Sequence, residues 1–254
     1  MKANATTKKV TAKKVIKKPA AKKAAAKKAV KNPETARTEI VFILDRSGSM
    51  GGRETDVIGG FNRMITDQQA KKGECFVSTV LFDDKSKVLH DRVPVGEVRP
   101  LTEREYNVRG CTAYYDALGR AIRHHIYVQR CLPEEERAEK VLFVVMTDGE
   151  ENASREYRGD QLKRLVAEEQ EKWGWEFVFI GAGIDALQAA REIGIKADNA
   201  ISTLCDAGGI KMSYICACDA ITNLRERRAM RQNADGTSFR QKIDLDYARR
   251  KQTK

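Results

Sequence analysis

Two apolar runs that each stop at an aspartate constrain what this chain can fold into. Ile40 to Leu44 reads I-V-F-I-L, unbroken, of strand length and rich in β-branched residues, the pattern of a central strand covered on both faces. It ends at Asp45, and Ser47 and Ser49 follow around Gly48, with Gly51 and Gly52 behind them. Far downstream, Val141 to Met146 repeats the pattern and leads through Thr147 into Asp148 and Gly149. Parallel strands with acids at the same end place both carboxylates on one rim, the edge where open α/β sheets bind their ligands.

A third stretch joins these two. Arg109 to Leu118, R-G-C-T-A-Y-Y-D-A-L, sets Thr112 just before a helical pattern carrying Ala113, Ala117, Ala121 and Ile122. Asp45, Ser47 and Ser49 are hard oxygen donors with no Cys or His beside them to favour zinc, so Mg²⁺ first and Mn²⁺ second suit the set. An isolated Asp-x-Ser is also a helix cap, and the two distant pieces are what favour the ion.

Together the three pieces resemble the metal-ion-dependent adhesion site of the von Willebrand factor A domain family. In that family Asp-x-Ser-x-Ser, a distant Thr and a distant Asp hold one cation. The match falls on Asp45, Ser47, Ser49, Thr112 and Asp148. Gly51–Met64 and Thr147–Tyr157 are also similar to a bacterial and phage subgroup of intracellular A domains. Cys111 departs from the pattern, standing where the family often has a second glycine. The resemblance implies a doubly wound α/β fold: a mostly parallel six-stranded sheet with helices on both faces, the Asp45 strand central, and one antiparallel edge strand.

The periodicities agree with such an alternation. Glu54 to Lys72 predicts a helix with Val57, Ile58, Phe61, Met64 and Ile65 inward and Gln68, Gln69, Lys71 and Lys72 outward. Gly59 and Gly60 interrupt it, and close packing near the metal loop is the expected reason. Cys75–Phe82 and Lys87–Val93 predict a hairpin, with Val77 and Val88 in the core and Pro94 closing the edge strand. Ala113 to Cys131 predicts a helix whose His124 and His125 are surface or boundary side chains and not ligands. Glu150, Glu151 and Asn152 crowd more acid near the ion, where they either tune its affinity or, the favoured reading, cap the helix that follows them. Helices over Gln161–Lys172, Asp185–Ile193 and Ile210–Leu224, and strands at Trp175–Ile180 and Ala200–Leu204, complete the domain, set at 38–224. A Gly-x-Gly at Gly181 to Gly183 lacks the rest of a dinucleotide fingerprint.

The net charge of +11 is concentrated at the ends. Residues 1–37 form a Lys/Ala-rich segment with too little apolar surface to offset the entropy of ordering, hence an expected disordered tail. Lys8, Lys9, Lys13, Lys14, Lys17, Lys18, Lys22, Lys23, Lys27 and Lys28 stand in it as pairs suited to nucleic-acid phosphates, without base readout. Residues 225–254, rich in Arg, read as a second basic segment. Six scattered cysteines suit a reducing cytosol, and with no signal peptide or membrane-length apolar run the expected location is cytoplasmic, nucleoid- or nucleic-acid-associated.

These features point to a divalent-metal-dependent protein-binding module. Through the resemblance, the ion's last ligand is a Glu or Asp of a partner protein. Arg46, Met50, Arg53, Tyr114 and Tyr115 are the expected rim, and the lysine tail is expected to hold nucleic acid. One alternative is a nucleic-acid-associated protein in which the A domain is a scaffold. A metal-dependent phosphoesterase is weaker, since neither serine sits in Gly-x-Ser-x-Gly and hydroxyl ligands do little to activate water.

Overall fold

The computed structural model describes residues 37–226, with Met1, Ile243, Leu245, Asp246 and Arg249. The ten tail lysines and nearly all of segment 225–254 lie outside the described residues. In chain order the elements are β1 (Thr38–Asp45), α1 (Glu54–Gln69), β2 (Cys75–Phe82), β3 (Ser86–Pro94), α2 (Tyr114–Cys131), β4 (Lys140–Thr147), α3 (Gly159–Trp173), β5 (Glu176–Ala182), α4 (Ala186–Glu192), β6 (Ala200–Thr203) and α5 (Ala207–Arg225).

The sheet order is β3-β2-β1-β4-β5-β6, parallel except for β3, which pairs antiparallel with β2. From β1 the chain winds outward to β2 and β3, then returns to β4 on the opposite side. This reversal opens a crevice at the carboxyl ends of β1 and β4, where α/β sheets hold ligands. Asp45 ends one of those strands and Asp148 follows the other.

All eight residues of β1 are buried, because both faces are covered. Ile40, Phe42 and Leu44 pack with Phe61 of α1 and Tyr214 and Ile221 of α5. Val41 and Ile43 pack on the other face with Leu118 and Ile122 of α2, Phe143 and Phe177. Strand alternation thus splits one apolar run between two cores, which explains its lack of polar positions.

Several side chains depart from the periodic reading, Val88 because an edge strand leaves it uncovered and the polar ones because a neighbour supplies what the local pattern cannot show. Val88 on edge strand β3 is 57% exposed, whereas Val77 is buried. His125 is buried, with Nε2 2.9 Å from Oε2 of the equally buried Glu39 and poorly aligned for a hydrogen bond. Arg92 Nε and Gln129 Nε2 also donate to that carboxylate, at 2.6 and 2.9 Å. Burial pushes the Glu39 carboxyl up, but His125 and Arg92 outweigh it and hold it below the usual range. Gln68 is likewise buried, held by Arg225 and Thr222 of α5. Arg225 itself belongs to the fold, not to a basic arm: it is buried, and Nη2 donates to the carbonyls of Lys71, Lys72 and Gly73 beyond the end of α1.

The two glycines of α1 separate. A Cβ at Gly60 would overlap the ring of Tyr214, so the close approach of α1 to α5, and not the loop after β1, requires that glycine. At Gly59 a Cβ would meet nothing within 4 Å among the described residues. Gly59→Ala is therefore expected to stabilise the protein by about 0.5–1 kcal/mol through helix propensity, and Gly60→Ala to destabilise it by about 1–3 kcal/mol through overpacking. Urea denaturation of both variants checks this; equal shifts would contradict the packing role of Gly60.

Candidate metal centre

Three loops are laced together at the carboxyl edge of the sheet. Gly48 N donates to Gly110 O at 3.0 Å and Arg109 N to Arg46 O at 2.9 Å, joining the loop after β1 to the approach to α2. Thr112 O accepts from Asn152 N and Ala153 N, and Asn152 Oδ1 accepts from Thr112 N at 2.9 Å, which adds the loop after β4. Glu151 accepts from Tyr115 N at the start of α2 and from Ala153 N and Ser154 N. The acidic run does supply a cap, but to the preceding helix α2 rather than the one that follows.

Within this lacing four of the five candidate ligands form a continuous chain. Asp45 Oδ1 accepts from Ser47 N at 2.6 Å, Ser47 Oγ lies 3.0 Å from Ser49 Oγ, and Ser49 Oγ donates to Asp148 Oδ1 at 2.5 Å. Thr112 completes the set by position: a Cβ on Gly149 would lie 2.7 Å from Thr112 Oγ1 and 3.4 Å from Ser49 Oγ. Both hydroxyls therefore face a space that a side chain at position 149 would invade. Asp45, Ser47, Thr112 and Asp148 are buried, while Ser49 is exposed and opens the cluster to solvent. Among the described residues no three His, Cys, Asp or Glu side chains gather as a metal-binding group. The candidate set has two carboxylates and three hydroxyls, a donor chemistry that fits a hard dication and not zinc.

Asp45 is the strained member electrostatically. Burial raises its pKa to about 6, with hydrogen bonds from Thr147 Oγ1 and Ser47 pulling it back and the charge of Asp148 adding to the rise. Its carboxylate is fully engaged by these donors, which suits a role supplying charge from behind the hydroxyls. Tyr106 OH donates to the Asp45 carbonyl and fixes the strand end from the α1 side.

The expected rim is mostly interior. Arg46, Met50 and Tyr114 are buried, and of the five residues only Arg53 and Tyr115 reach solvent. Arg46 turns inward, Nη2 lying 2.9 Å from Oδ2 of the fully buried Asp83, which Arg109 Nε also contacts at 2.9 Å. Among the described residues Arg46 Nε has no hydrogen-bond partner. Desolvation pushes the Asp83 carboxyl up, but the donors around it, Arg109 first, hold it below the usual range. Asp83, Thr147 and Tyr106 were not marked as site residues by sequence pattern; of these, Asp83 at the end of β2 carried a signal, an acid ending a buried strand beside Asp45.

The sequence matches no family model and no curated protein. Solved structures do share the fold. The vWF domain of the type V pili tip protein Mfa5 from Porphyromonas gingivalis superposes with a TM-score of 0.55 at 11% identity, over 74% of this chain and 96% of that one. Proximal thread matrix protein 1 from the mussel byssus gives 0.50 at 15% identity, over 73% and 46%. The chain thus spans less than half the length of the mussel protein. The manganese-loaded Plasmodium vivax TRAP protein gives 0.47 at 17% identity, over 71% and 72%. The architecture is that of a von Willebrand factor A domain.

Proposed function

We propose that this protein is a divalent-cation-dependent protein-binding module. The observation that carries the reading is the convergence of Ser47, Ser49, Thr112, Asp45 and Asp148 at the switch point of the sheet. Ser47, Ser49 and Thr112 would hold Mg²⁺ or Mn²⁺ by their hydroxyls, with Asp45 and Asp148 supplying charge. Once bound, such an ion offers a Lewis-acidic position to a carboxylate oxygen, and the partner is expected to present a Glu or Asp there. The module is read as non-enzymatic. Its three histidines are engaged elsewhere, His90 with Thr79, His124 with Asp91 and His125 with Glu39, so neither serine has a base of that kind.

The lysine pairs from Lys8 to Lys28 are proposed to add a non-specific nucleic-acid contact, with the protein working in the cytoplasm. Capture experiments with the full chain are expected to retain a partner in Mg²⁺ and lose it in chelator, and Thr112→Ala is expected to abolish retention while the far-ultraviolet spectrum is unchanged. Retention undiminished by chelator would count against the metal reading. Salt-sensitive binding of a DNA or RNA duplex that survives deletion of residues 1–31 would count against the tail.

A further inference from the structure

A guanidinium stands on the carboxylate from which the candidate cation would draw charge. Arg53, just before α1, directs Nη1 to 3.3 Å from Asp148 Oδ2 and 2.5 Å from Ser49 O, and Nη2 to 3.4 Å from Cys205 O. Those acceptors come from the loops after β1, β4 and β6, so one side chain ties together three loops at the sheet edge. The Asp148 side chain is 1% exposed and that of Arg53 25%, so the carboxylate is enclosed while the cation keeps a path to water. The second oxygen of Asp148 already accepts from Ser49 Oγ.

Resting on the divalent-cation reading of the site, we propose that Arg53 is an internal counter-cation that competes with the dication for Asp148 and so regulates its affinity. A dication and a guanidinium drawing on one enclosed carboxylate repel each other where screening is weak. The partly exposed member is the one able to yield. Coupling of this kind is reciprocal: to the extent that Arg53 weakens the dication, the dication weakens the hold of Asp148 on Arg53. The freed guanidinium then lies at the rim, where its planar fork suits a carboxylate delivered to the ion. Arg53 thereby links ion binding to partner recognition.

The test is calorimetric titration of Mg²⁺, and separately Mn²⁺, into the full-length wild type, Arg53→Gln and Arg53→Lys, with thermal melts confirming that each variant folds. Removing the charge in Arg53→Gln is expected to tighten dication binding at least about fivefold, while Arg53→Lys, which keeps the charge, stays within about twofold of wild type. A role confined to holding the loops would make Arg53→Gln bind more weakly. Equal or weaker binding by Arg53→Gln, with wild type binding normally, overturns the competition and leaves the metal site standing. Binding by Arg53→Gln alone supports the competition in its strongest form. If no variant binds either ion, the inference and the proposed function fall together.

Discussion

Asp83→Ala is expected to lower the free energy of unfolding by about 3–5 kcal/mol, since it leaves a buried arginine without its counter-charge. Asp83 is fully buried, and Arg46 retains only 4% of its side-chain exposure. The Nε of Arg46 is already without a partner, so the ion pair is its main compensation. Arg109, with 58% of its side chain exposed, can turn to solvent and contributes less. The loss should extend to the candidate metal centre, because Arg46 lies between Asp45 and Ser47 and its carbonyl accepts from Arg109 N. Urea denaturation of Asp83→Ala, and of Asp83→Ala combined with Arg46→Met, measures the effect. The double variant is expected to recover part of the loss by removing the orphaned charge. A single-variant loss below about 1 kcal/mol would mean that the pair does not hold the loop. Because the Asp83 carboxyl is held below its usual range, this stabilisation is present above the ordinary aspartate pKa and is lost as pH falls through the depressed value.

Asp45→Asn is expected to act in the opposite direction on stability while removing the response to dications. The rise of the Asp45 pKa to about 6 from an ordinary 3.8 corresponds to about 3 kcal/mol against the charged form at neutral pH. A raised carboxylate pKa means the folded state favours the protonated acid. The penalty is therefore absent well below pH 3.8, grows as pH rises towards 6, and is constant above it. Asparagine keeps an acceptor for Ser47 N and brings a donor for the Thr147 hydroxyl, so the packing survives without the charge. In chelator at pH 7 the variant should resist urea better than wild type, the gap closing towards pH 4. Wild type should gain stability with added Mg²⁺, by about 2.7 kcal/mol at a hundredfold excess over the dissociation constant, and the variant should gain none. On the proposed function, protons would compete with the dication at Asp45 in wild type, so the gain should fade as pH drops through about 6. A variant weaker than wild type in chelator, or one still stabilised by Mg²⁺, would contradict this account.

The strands and the placing of two aspartates at one sheet edge were legible because strands carry their own pattern, while the central place of the Asp45 strand came from the family resemblance. Ile40–Leu44 and Val141–Met146 each announce a doubly covered strand, and the residue ending such a strand must lie at the sheet's edge. What escaped was set by partners remote in sequence. Arg46 reads as a rim residue because it sits in the loop after β1, and only Asp83, thirty-seven positions away, turns it inward. Gln68 looks polar and outward until Arg225 is placed against it, and His125 looks like surface until Glu39 is found buried opposite. Val88 erred the other way: alternation marks which residues share a face, and an edge strand leaves part of its face uncovered. A buried polar residue is recognised by its partner, and single-sequence periodicity contains no partners.

The guanidinium of Arg225 also governs where the polypeptide tolerates being cut. A chain stopped at Leu224 would keep every apolar residue of α5 yet uncover the oxygens at positions 71 to 73 together with that of Gln68. Limited digestion should accordingly spare the bond after Leu224 for as long as the native helix stays seated, and every durable fragment should retain this arginine.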